Sequence, residues 1–170
     1  MQHVLKNKKM GLIGENYFPP MNDSHLSIQR HHALQQCFKT ISLNKPSVIY
    51  ICPTKGVNIN LLPLLMINDY KFVLVYPSRK FFGLLNKDEK RILDAASAVA
   101  DKIIVLSTKE TSPLNWRREW VEGTRKVINN SDWVMLAHNQ FEDNESFIDL
   151  CLEFEGDPTP IVEVGFGLEE

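Results

Sequence analysis

Nothing in this 170-residue chain divides it: there is no Pro/Gly/Ser-rich linker, no internal repeat and no low-complexity tract. One core and a single domain spanning 1–170 are expected. Cysteines number only three, and Cys37, Cys52 and Cys151 stand far apart without CxxC or Cys/His ligand spacing. That excludes a disulfide framework and a cysteine-built metal site, and it fits a reducing cytoplasm. No apolar run approaches the roughly 18 residues of a membrane span, and the N-terminus, with Lys6, Lys8 and Lys9, lacks the apolar centre of a signal peptide. No membrane partner is expected, and residues 1–9 read as a flexible lead-in. A dominant charge is missing as well. The formal charge is −2 and the pI about 6.2, so without a broad basic field nucleic acid is not an expected partner. The strong phosphate-binding fingerprints, GxGxxG and GxxxxGK(S/T), are also absent.

What is present is a regular alternation. Hydrophobic residues make up 44% and charged residues 24%, ordinary values for a globular chain. Short apolar runs read as six strands: 10–14, 47–51, 70–76, 102–106, 132–137 and 161–164. Between them come segments of helical periodicity. Leu34, Cys37, Phe38 and Ile41 share one face, and Leu61, Leu62, Leu64, Leu65 and Met66 make a nearly all-apolar helix. Asn86 with Glu89 three residues on forms a capping pair ahead of Ile92, Leu93, Ala96 and Val99. Ser112-Pro113 reads as a helix start before Trp116, Trp120, Val127 and Ile128, and Phe147, Leu150, Cys151 and Phe154 as a last helix stopped by Gly156. Alternation of this kind demands parallel strands and right-handed crossovers. The expected fold is α/β, a three-layer αβα sandwich with a mainly parallel, doubly wound sheet.

In such sheets ligands bind beyond the carboxyl ends of the strands, where helix N-termini offer N–H groups and positive dipole ends. The central stretch, Ser47 to Asn58, contains one strand, its exit loop and a helix start. Gly14 and Gly56 permit close backbone approach, Thr54 offers a hydroxyl, and Lys55 and Arg79 offer cations for phosphate. Asn16, Val57, Asn58, Pro77, Ser78 and Asn139 complete the expected ligand-binding set. Glycines and lysines also populate ordinary αβ turns, so an unremarkable turn is the competing explanation.

Two carboxylates, Glu15 and Glu145, are the candidates for acid or nucleophile in cleavage or transfer of an N-glycosidic bond. The run Trp116-Arg117-Arg118-Glu119-Trp120 suits either a nucleobase and phosphate or plain packing with solvated arginines between. His31-His32, adjacent on a helix, do not share a face, and no metal site is expected.

Met-Gly-Leu-Ile-Gly-Glu-Asn (10–16), Thr-Lys-Gly-Val-Asn (54–58), Tyr-Pro (76–77) and Ile-Asn-Asn-Ser-Asp-Trp-Val-Met-Leu (128–136) together resemble the SLOG superfamily. This is the Rossmann-like group that includes DprA-like proteins and LOG-type phosphoribohydrolases. The chain resembles a divergent small member, with Asn139 to Glu145 standing where a PGGxGT-type loop would fall. The resemblance implies a small nucleotide or nucleotide-derived ligand at the strand ends, held by a cytoplasmic sensor or binding protein that needs no cofactor. The alternatives are an N-glycosidic enzyme and a module acting through protein contacts alone. Homo-oligomers form readily through exposed helix faces of such folds, and a homodimer is expected.

Overall fold

In the computed structural model the described residues are 6–15, 27–78, 85–107, 116–139 and 159–166. They form β1 (Lys9–Gly14), α1 (Ser27–Asn44), β2 (Val48–Ile51), α2 (Val57–Ile67), β3 (Phe72–Tyr76), α3 (Lys87–Val99), β4 (Lys102–Val105), α4 (Trp116–Asn129), β5 (Trp133–Asn139) and β6 (Ile161–Phe166). The helix expected around Phe147 to Phe154 and the Ser112-Pro113 start lie outside the described residues.

All six strands are parallel and stand in the order β4-β3-β2-β1-β5-β6. The chain therefore winds outward from β1 to β4, returns across the sheet, and winds outward the other way through β5 and β6. Right-handed crossovers place helices of opposite winding direction on opposite faces. The packing obeys this rule. Met10 and Leu12 of β1 join Ile49, Ile51 and Leu74 in a core covered by α1, α2 and α3, whereas Ile13 meets Trp120 and Ile128 of α4. The expected αβα sandwich is thus the fold observed, with an all-parallel sheet.

Helix α2 runs through Pro63, a residue that removes a hydrogen bond from a helix interior at a cost of about 3 kcal/mol. Burial outweighs it: Ile59, Leu61, Leu62 and Leu65 are all at 0% exposure. At about 1.5–3 kcal/mol per large buried side chain, those four contribute more than the proline costs. The capping pair on α3 is complete, since Asn86 Oδ1 accepts from Glu89 N at 2.8 Å and Glu89 Oε1 accepts from Asn86 N at 3.1 Å.

Strand order also sets where the winding reverses, between β1 and β5. Gly14 pairs with Ala137 there, and Glu15 N donates to Ala137 O at 2.9 Å. This switch point is where doubly wound sheets open a crevice at their carboxyl edge.

Candidate functional site at the strand ends

The β2–α2 turn is built around Gly56, whose φ of 99° and ψ of −139° lie in a region that side chains other than glycine rarely adopt. The turn is bonded mainly to its own backbone. Asn58 Nδ2 donates to Cys52 O at 2.9 Å and to Thr54 Oγ1 at 3.4 Å, while Ile59 N donates to Thr54 O at 3.2 Å. Val57 N donates to Glu15 O at 3.0 Å, which ties α2 to the exit of β1. Two donors of the first helical turn, those of Val57 and Ile59, are therefore occupied by protein carbonyls and do not face an external anion.

Close approach makes this possible. A Cβ on Gly14 would lie 2.5 Å from Asn58 Oδ1 and 2.6 Å from Val57 Cβ. Gly14, Glu15, Thr54, Gly56, Val57, Asn58, Pro77 and Ser78 all lie at the strand ends and are buried, Glu15 at 1% exposure. Lys55 is partly exposed, the one residue of the turn's Thr54–Asn58 stretch that reaches solvent. Asn139 belongs to strand β5, paired with Phe166, not to a loop. Asn16, Arg79 and Glu145 fall outside the described residues.

Behind the turn stands a polar network that sequence reasoning missed. Arg30 Nη2 of α1 donates to Asn60 Oδ1 at 2.5 Å, and Asn60 Nδ2 donates to Gly56 O at 2.7 Å and to Glu89 Oε2 at 3.3 Å. One amide thus joins the first turns of α1, α2 and α3. Burial lowers the Arg30 pKa, and the negative charge of Glu89 partly opposes that shift. The available signal was Asn60 itself, a second asparagine at the start of an otherwise apolar helix.

Helix α4 crosses the other face of the sheet with Gly123 against the strand ends. A Cβ there would lie 2.6 Å from Cys52 Sγ and 3.0 Å from Pro77 Cγ, and farther along the helix Val127 packs where a Gly11 side chain would be. The first turn of α4, which precedes Gly123, therefore stands on the carboxyl side of the sheet. Arg117 and Arg118 are exposed there, Arg118 with Glu122 at 4.0 Å in a solvated pair. Trp120 is core, at 1% exposure. Cys52 is fully buried, and burial first, the charge of Glu119 second, pushes its thiol pKa far up. Both causes favour the neutral thiol over the nucleophilic thiolate. Among the described residues no group of three or more His, Cys, Asp or Glu side chains is placed to hold a metal ion, and no helix is long and apolar enough to cross a membrane.

The fold and this edge define an all-parallel, Rossmann-like α/β protein whose helix starts and cations share the carboxyl side of the sheet. No protein-family model and no curated protein matches the sequence. Solved structures do match it. DNA processing protein A from Helicobacter pylori, described for its unique single-stranded DNA binding mode, aligns over 98% of this chain and 70% of its own, with 18% identity and a TM-score of 0.52. DNA processing protein A (DprA) from Streptococcus pneumoniae aligns over 94% of this chain and 59% of its own, with 14% identity and a TM-score of 0.48. The structural neighbours are thus DprA proteins, in line with the Rossmann-like resemblance of the sequence.

This finding overturns two expectations: the small nucleotide-like ligand, and the view that nucleic acid is not a partner. The neighbour that this chain matches along nearly its whole length is described for binding single-stranded DNA. A chain-wide charge of −2 averages over all surfaces, whereas a strand of nucleic acid meets only the local field of one edge.

Proposed function

We propose that this chain is a single-stranded nucleic-acid-binding protein, a divergent relative of the DprA-like group that acts in the cytoplasm. The observation that carries the reading is the likeness of 98% of the chain to a protein described for its single-stranded DNA binding mode. The carboxyl edge supports it. Lys55 lies on the α2 side, Arg117 and Arg118 on the α4 side, and the first turns of α1 and α2 carry no acidic residue. Cations on one edge attract a polyanion and track its successive phosphates. The cytoplasmic setting agrees with the free, buried thiols of Cys37 and Cys52.

Fluorescence anisotropy with a labelled oligothymidylate tests the reading. Three phosphate contacts predict a slope of log K against log salt of about −2, and a loss of roughly sixteenfold for a fourfold rise in salt. Lys55→Ala flattens the slope by about 0.7, and excess thymidine monophosphate does not displace the oligonucleotide. Absence of binding at low salt, or tighter binding of duplex than of single strand, refutes it.

A further inference from the structure

Helix α1 is distinctive among the described helices that present an exposed face. Its 18 residues include no aspartate or glutamate, in a chain that has 21 of them. Its solvent side is a broad stripe of His31, His32, Gln35, Gln36 and Lys39, wide enough that the two adjacent histidines are both exposed without standing in one row, with exposed Ile28 and Leu43 at its two ends. By contrast, α3 exposes Asp88 and Asp94 among its lysines and arginine, and α4 exposes Glu122 beside Arg118. The stripe begins at the strand-carboxyl edge, because Arg30 in the first turn of α1 reaches Asn60 beside the Gly56 turn. It ends at the opposite edge, where Asn7 N donates to Lys45 O and Ser47 N to Lys8 O. At about 1.5 Å per residue the stretch from Ile28 to Leu43 is about 24 Å long.

We infer that the outer face of α1 is a second contact surface for single-stranded nucleic acid, continuing from the carboxyl edge down the side of the molecule. The inference rests on the reading of that edge as a single-strand site. Charge complementarity selects the partner: the stripe holds one permanent cation, two imidazoles and no carboxylate, so a polyanion crosses it without repulsion. Its chemistry selects the unpaired state. Imidazole faces stack on bases, and glutamine amides both donate to and accept from base edges that are free only when the strand is single. The two imidazole rings lie 6.4 Å apart at 70°, so they are not stacked parallel on each other and each can meet a separate base. The apolar ends at Ile28 and Leu43 offer further surface to base faces.

The test uses the full chain and oligothymidylates of increasing length. His31→Ala with His32→Ala weakens binding of a long oligonucleotide roughly tenfold, from lost stacking, and leaves a short one bound at the carboxyl edge unchanged. Gln35→Glu with Gln36→Glu weakens the long oligonucleotide about tenfold at low salt, and the difference shrinks as salt rises. All four positions are exposed, and glutamine and glutamate have similar helix propensity, so thermal unfolding serves as the check that both variants are folded. Wild-type affinity for the long oligonucleotide in both folded variants overturns the inference while the carboxyl-edge reading stands. If the wild-type chain binds no oligonucleotide of any length, both fail. If the length dependence stays at wild-type in the variants, the added contacts lie elsewhere and this surface is refuted.

Discussion

Gly123→Ala sets two well-known effects against each other. In an exposed helix interior, replacing glycine by alanine stabilises by about 1 kcal/mol. Gly123 is instead buried, and the new methyl group would lie 2.6 Å from Cys52 Sγ and 3.0 Å from Pro77 Cγ. The sulfur is confined, packed with Val75 and Val127 at near-zero exposure, and Pro77 is a rigid ring. Overpacking of this kind costs about 1–3 kcal/mol, so it exceeds the propensity gain and the variant is destabilised by about 1 kcal/mol. Cys52→Ala removes the closer of the two obstacles. In a double-mutant cycle the pair should therefore be coupled by about 1–2 kcal/mol, the combined variant being more stable than the sum of its parts. The Pro77 contact remains, which keeps the rescue incomplete. Equilibrium urea denaturation at neutral pH reads all four proteins, with equal slopes required before midpoints are compared. A stabilised Gly123→Ala, or strictly additive costs, would refute the close seating of α4 over the ends of β2 and β3.

Gly14→Ala is expected to cost more, about 3 kcal/mol, because the methyl group would meet Val57 Cβ, which is fixed to the helix backbone, as well as Asn58 Oδ1; the same denaturation measures it, and a cost below about 1 kcal/mol would contradict the geometry. Asn86→Ala removes half of the capping box on α3 and should lower stability by about 1 kcal/mol, or roughly 2–4 °C in a melting curve. Burial pushes the Cys37 thiol up to about 12 and raises that of Cys52 as well. Both folded-state values are raised, so their contribution to stability is complete below the unfolded thiol value of about 8.5 and is lost as pH climbs toward 12. In a Cys151→Ser background neither thiol should react with a disulfide reagent near pH 8 until denaturant is added; rapid labelling of the native protein would contradict their burial. Asn60→Ala should loosen the first turns of α1, α2 and α3 together, seen as faster amide exchange in all three, and exchange raised in α2 alone would count against the shared network.

Local features of this protein were legible in its residues. The β-branched and aromatic runs marked all six strands to within about two residues, because the alternation between apolar runs and helical spacing is written in neighbouring positions. Asn86 and Glu89 announced the capping box, and Gly56 was readable as a point of close backbone approach, although its positive φ was not. The convergence of Gly14, the Thr54–Asn58 turn and Pro77-Ser78 at one edge followed from parallel strands alone. Missing from that view was which of these groups face outward. Thr54 and Asn58 looked like ligand contacts, yet both are buried and bond to the turn itself, while Arg117 and Arg118, equally readable as solvated helix residues, stand at the edge.

Sequence by itself determined the class of fold, since periodicities of two and 3.6 residues are local and dictate strand, helix and parallel crossover. Only the tertiary structure decided the strand order, and with it the reversal between β1 and β5 that sets Glu15 beside Ala137. It alone joined Arg30, Asn60 and Glu89, each about thirty residues from the next, and it alone turned the acid-free side of α1 to solvent. The physical reason is common to all three: pairing and packing between segments distant in the chain depend on the whole set of competing contacts, which no single segment encodes.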